Sequence, residues 1–169
     1  DTATYIAADP ARDSVPHSPS PPAAVTDMRV SPDSADACAN PAATGGCRRL
    51  QVETANARQL FVIRHGKDSG LVRLLPGGCA GDPEQVGGRQ RYLVAGLDGG
   101  AATYYGIAVQ DRQLQGAFSR HMQQLPDGCS VTVGERLPDS RLQSWLEQLD
   151  RMIADNPERV AWAARRSGG

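Results

Sequence analysis

AATYYGIAVQDRQLQGAFSRHMQQLPDGCSVTVGERLPDSRLQSWLEQLDRMI, residues 101–153, is the stretch whose reading decides the fold. It reads as strand, helix, strand, helix. Residues 104–109 are rich in aromatic and β-branched side chains, the composition of a strand. Asp111 is placed to cap a helix over 111–125. That helix sets Leu114, Ala117, Phe118, His121, Met122 and Leu125 on one face at steps of three and four. Pro126-Asp127-Gly128 ends it. Cys129, Val131 and Val133 then alternate with Ser130 and Thr132, which predicts a strand over 129–135 with one buried face. Ser140 and Gln143 have the spacing of a capping box opening a helix over 140–155, with Leu142, Trp145, Leu146, Leu149, Met152 and Ile153 as its apolar stripe. Two parallel strands joined by a helix cross over right-handed.

Outward from this block, 59–65 is an apolar run ending in Arg-His, and 71–75 is a second one. With the Gly66–Gly70 turn between them they predict a hairpin. Residues 49–54 alternate weakly, as an edge strand does. Residues 76–88 read as loop, and 89–97 as a strand or a short helix. Asp98-Gly99-Gly100 predicts a turn joining 89–97 to the strand over 103–109 in a second hairpin. Asn156-Pro157 predicts the start of a last short helix over 160–166. The sum is an α+β class chain: a two-layer sandwich with a mixed five- or six-stranded sheet and two or three helices mainly on one face, stabilised by disulfides.

The first 46 residues differ from the rest. Pro16-His17-Ser18-Pro19-Ser20-Pro21-Pro22 and the Pro, Ala, Ser and Asp after it predict a disordered tail or tether over 1–46, followed by a single domain over 47–169. The tail carries a net charge of -4 and the remainder +3, within a total of -1. That total argues against nucleic-acid binding by bulk electrostatics. No apolar run is long enough to span a membrane. The chain begins at Asp1, as a processed N-terminus does, and a membrane anchor upstream of the tether is part of the same expectation.

Four cysteines, Cys38, Cys47, Cys79 and Cys129, lack zinc-site spacing. Their even number predicts two disulfides and an oxidising compartment, periplasmic or extracellular. Three pairings satisfy the count, of which Cys38–Cys47 and Cys79–Cys129 are favoured.

Chemistry is scarce. Phe61-Val62-Ile63-Arg64-His65-Gly66 resembles the signature of the histidine phosphatase superfamily. The resemblance implies a phosphohydrolase with His65 as the phosphate-accepting nucleophile and Arg64 as a phosphate ligand. It covers about six residues, and the only later histidine, His121, lies mid-helix on an apolar stripe. No nucleophile elbow, phosphate-binding loop, cofactor motif or metal-ligand spacing is present. The sequence therefore predicts a secreted or periplasmic accessory protein, not an enzyme, that binds another protein, either an envelope-complex component or a toxin to be neutralised. A phosphohydrolase using His65 is one alternative, and a structural module of a secretion or conjugation apparatus is another. The expected contact residues are Lys67 and Asp68 in the Gly66–Gly70 turn and Asp82, Glu84, Arg89 and Arg91 around the Gly-rich loop. Trp162 on the last segment joins them as an interface anchor.

Overall fold

The computed structural model describes residues 21–38, 46–67, 70–78, 80–128 and 137–167. Its strands are β1 (Ala24–Pro32), β2 (Cys47–Ala55), β3 (Gln59–Gly66), β4 (Gly70–Leu75), β5 (Glu84–Val86), β6 (Arg89–Asp98), β7 (Ala102–Val109) and β8 (Val160–Ser167). Its helices are α1 (Arg112–Met122) and α2 (Asp139–Ala154), with a 3-10 turn over Ala35–Ala37. The strands form two four-stranded sheets, ordered β1-β2-β6-β5 and β4-β3-β7-β8. Every pairing between named strands is antiparallel.

The layers follow from the side-chain alternation of β3 and β7. Leu60 and Val62 of β3, with Tyr104 of β7, face the first sheet and meet Met28, Leu50, Val52, Tyr92 and Val94 there. Phe61 and Ile63, with Ile107 and Val109, face the other way, onto Phe118 and Met122 of α1 and Trp145 and Leu149 of α2. The order is sheet, sheet, helices. The second sheet is buried on both faces, which is why β3 is an unbroken apolar run rather than an alternating one. Phe61 and Phe118 stack across the lower core with ring centroids 6.1 Å apart. Each such fully buried side chain contributes about 1.5–3 kcal/mol relative to leaving it in water.

This architecture corrects the expected two-layer sandwich with a mixed five- or six-stranded sheet and two or three helices. The hairpin of β3 and β4 forms as expected, with Arg64 opposite Val72 and Gly66 opposite Gly70. The second expected hairpin does not. The Asp98–Gly100 turn carries the chain from one sheet to the other, so β6 pairs with β2 and β5, and β7 pairs with β3 and β8. The expected parallel strand over 129–135 lies outside the described residues.

The last segment is strand β8, not a helix. Val160 pairs with Val109 and Ser167 with Ala102, so β8 completes the ladder along the whole of β7. The helix preference of its Ala and Arg residues is a few tenths of a kcal/mol each, which pairing to an otherwise open, buried strand exceeds. Asp111 caps α1 as expected, its Oδ1 accepting from the Leu114 amide at 2.8 Å. The capping box at Ser140 does not form. Pro138 occupies the cap position of α2 and makes no side-chain cap bond.

Residues 24–32, read from sequence as part of the tail, form β1 and lie against β2 with Met28 opposite Val52. The alternation of this strand is interrupted by a register shift between Val25 and Asp27, which hides the strand pattern in the sequence. The disulfide Cys38–Cys47 is present. The Cys79–Cys129 pairing lies outside the described residues, as do Asp68 and His17.

Candidate functional site

The three-layer order leaves one apolar face incompletely covered. On β8, Trp162 stands opposite Ile107, and Ile107 stands opposite Phe61. All three point toward the helices. The strand neighbours of Trp162, Ala161 and Ala163, leave the opposite face, Ala163 packing between the sheets, and Ala164 is the small residue beside it on the same face. Helix α2 buries Trp145 and Leu149 against the second sheet but leaves a groove beside them. That groove has a volume of about 540 Å³, with Ile63, Tyr105 and Ile107 on the sheet side and Leu146 and Ile153 on the helix side. Among the described residues, Asp150 is the one charged residue that lines it. Trp162 forms part of the wall and is 57% exposed, against 41% for Leu93, the other large exposed hydrophobic among the described residues. An indole this exposed beside an apolar groove has the form of an interface anchor.

Glu84, Arg89 and Arg91 are brought together, but not in a loop site. They lie on the outer face of the first sheet, around a residue that sequence reading missed. Glu53 of β2 stands opposite Arg91 of β6, and Arg91 stands opposite Glu84 of β5. The Glu53 carboxylate is 3.2 Å from Arg91 Nε and 3.6 Å from Arg89 Nη1, while Arg91 Nη1 is 3.6 Å from Glu84. Glu53 is only 5% exposed although it faces outward. The guanidinium groups satisfy the carboxylate and cover it. The alternation of Leu50 and Val52 against Gln51 and Glu53 would have placed Glu53 on this face. Asp82 is exposed in the loop before β5 and is not among these partners.

Arg64 and His65 are consecutive strand residues, so their side chains leave opposite faces of the sheet. Arg64 is buried between the sheets with its guanidinium carbon 5.9 Å from the Tyr104 ring centre. His65 faces the other side and borders a shallow recess with Lys67 and Arg166. The pair does not converge on one point. His121 is committed elsewhere: it packs in the lower core against Trp145, and its Nε2 lies 3.0 Å from the Trp145 carbonyl. Among the described residues, no three His, Cys, Asp or Glu side chains come together as metal ligands, and no helix is long and apolar enough to cross a membrane. Comparison with family models, with curated proteins and with solved structures finds no match.

Proposed function

We propose that the chain is a non-enzymatic binding domain of an oxidising compartment, periplasmic or extracellular, and that it engages another protein through the groove between α2 and β8. The exposed Trp162 at that groove carries the reading. A binding residue is expected to be solvent-exposed, aromatic and held on rigid elements, and Trp162 on a paired strand meets all three conditions. The occupant is an extended or helical segment of the partner with one large apolar side chain for the groove and a basic flank for Asp150. The Cys38–Cys47 disulfide supports the compartment. The separation of Arg64 from His65 supports a binding role over phosphate transfer.

Screening the chain against a displayed library of random peptides tests this. The expected result is enrichment of peptides with an aromatic or large aliphatic residue next to Lys or Arg. Their affinity should fall roughly tenfold or more with Trp162→Ala and stay unchanged with Leu93→Ala on the far sheet. Failure to enrich, or equal binding by Trp162→Ala, removes the groove as the site.

A further inference from the structure

The seam where the two sheets meet edge to edge has a chemistry that the groove does not share. β1 and β8 lie alongside each other there, and Arg165 Nε donates to the Met28 carbonyl across the gap at 2.8 Å. A recess of about 390 Å³ opens at this seam. Arg29, Arg49, Arg165 and Arg166 line it, together with Ser31 and Gln51. Arg29 and Arg49 share the outer face of the first sheet, while Arg165 and Arg166, consecutive on β8, leave that strand on opposite faces. Arg166 also borders the adjoining recess that holds His65 and Lys67.

This concentration of positive charge runs against the composition of the chain, whose formal charge is -1. It is also poorly neutralised. Asp27 pairs with Arg29 at 2.9 Å. Glu53, on the next row, is taken up by Arg91 and Arg89. Among the described residues no carboxylate pairs with Arg49, Arg165 or Arg166. Like charges crowded in a recess repel one another, and an anion relieves that repulsion. Arginine in particular offers a planar pair of donors that matches the oxygens of a phosphate. Arg165 is held by two backbone carbonyls, its Nε donating to Met28 at 2.8 Å and its Nη1 to Ala164 at 3.4 Å, which leaves Nη2 for a ligand.

We infer that this arginine-lined seam is a binding site for a compact phosphate-ester anion carrying more than one negative charge. The recess is closed on one side by the paired sheets, so it suits a small ligand or a headgroup rather than an extended polyanion. The inference stands apart from the groove, from which it differs in ligand and in residues.

Inorganic pyrophosphate, titrated into the full chain at low salt and followed by amide resonances, is the test. The expected result is saturable shifts at 28–31, 49, 51, 165 and 166. Affinity should drop roughly tenfold or more in the double variant Arg49→Gln/Arg166→Gln. The charge-matched control Arg112→Gln/Arg141→Gln, on the helices, should stay within about twofold of wild type. Dispersed spectra of both variants confirm folding, and Arg49→Lys/Arg166→Lys, which keeps charge but loses the fork, should fall between. Vesicles of phosphatidic acid, a phosphomonoester headgroup, in phosphatidylcholine form the second arm. Binding to pyrophosphate identifies a free multiply charged phosphate group, and binding to the vesicles alone identifies a headgroup. No binding in either arm overturns the inference. So does equal loss in the control variant, or tighter binding of a single-stranded oligonucleotide than of both phosphate probes.

Discussion

The imidazole of His121 lies flat on the indole of Trp145, with ring centroids 4.2 Å apart and planes 9° from parallel. Each ring also bonds the other residue's backbone. Trp145 Nε1 donates to the His121 carbonyl at 3.0 Å, and His121 Nε2 sits 3.0 Å from the Trp145 carbonyl. A carbonyl only accepts, so Nε2 carries the proton. The other ring nitrogen, Nδ1, is buried and has no hydrogen-bond partner among the described residues. A second proton there would have no acceptor. The pair joins α1 to α2 and holds α2, and with it one wall of the groove, in place.

A pH dependence of stability is expected from this pair. Burial lowers the His121 pKa below its ordinary 6.5, and the bond to the Trp145 backbone offsets part of that. The unfolded chain therefore takes up the proton first as pH falls. The contribution of neutral His121 is complete above pH 6.5 and is lost progressively below it, toward the lowered folded value. Urea unfolding of wild type and of His121→Phe, which keeps a ring on Trp145 but does not titrate, isolates the effect. The wild type should lose more stability than the variant between about pH 7.5 and pH 5. Parallel losses would show that His121 is not responsible.

The charged row on the first sheet gives a second expectation. Glu53→Gln keeps the shape but removes the charge that Arg91 and Arg89 share. Both arginines are partly exposed and can turn to water, so the loss should be modest, about 1–2 kcal/mol. Arg91→Gln should cost more, because it strips the nearest cation from a carboxylate that is almost wholly buried. The double variant should lose less than the two single losses added together. Strict additivity in chemical denaturation would mean that the pair is not coupled.

How much of this was legible in the sequence depended on whether the partner lay nearby along the chain. The β3–β4 hairpin, the Asp111 cap and the apolar stripes of both helices are local features, and they were read correctly. Strand β1 was missed because Met28 and Val30 are its few strongly apolar inward residues, set among Ser, Asp and Pro. Strand β8 was read as a helix because local propensity favoured one, while its determinant, the free edge of β7, lies about fifty residues upstream. The site divides the same way. Trp162 stood out by residue type, and Glu84, Arg89 and Arg91 stood out by charge. Glu53, which organises those three, and the seam of Arg29, Arg49, Arg165 and Arg166 exist only through cross-strand pairing, which no local spacing encodes.

Gly77 is required by close packing. A Cβ built there would lie 2.5 Å from the Leu74 carbonyl oxygen and 3.2 Å from the Asp127 carboxylate. The nearer atom is backbone and cannot swing aside, so the loop after β4 would have to move. Gly77→Ala should destabilise by about 1–3 kcal/mol. At Gly81, a few residues on, nothing lies within 4 Å of the same Cβ. Gly81→Ala should change stability by no more than about 0.5 kcal/mol. Thermal unfolding of the two variants side by side checks both, and an equal effect would refute the steric account.

The disulfide ties the first strand's exit to the start of β2. Cys38 and Cys47 are nine positions apart, and the Asp33 amide donates to the Cys47 carbonyl at 3.0 Å beside them. Asp33 Oδ2 in turn accepts from the Gly96 amide of β6 at 3.0 Å. Three successive pieces of the first sheet therefore meet at this corner. Cross-linking so short a loop restricts the unfolded chain by about 2–3 kcal/mol on the loop-entropy model. Cys38→Ala/Cys47→Ala should lose that much, and Asp33→Ala, which leaves the cross-link intact but frees the Gly96 amide, about 1 kcal/mol. If the corner acts as one unit, the cysteine variant should also speed hydrogen exchange at Gly96, because the backbone that positions Asp33 is then held from one side only. Unchanged exchange at Gly96 would mean that the disulfide acts on the unfolded chain alone.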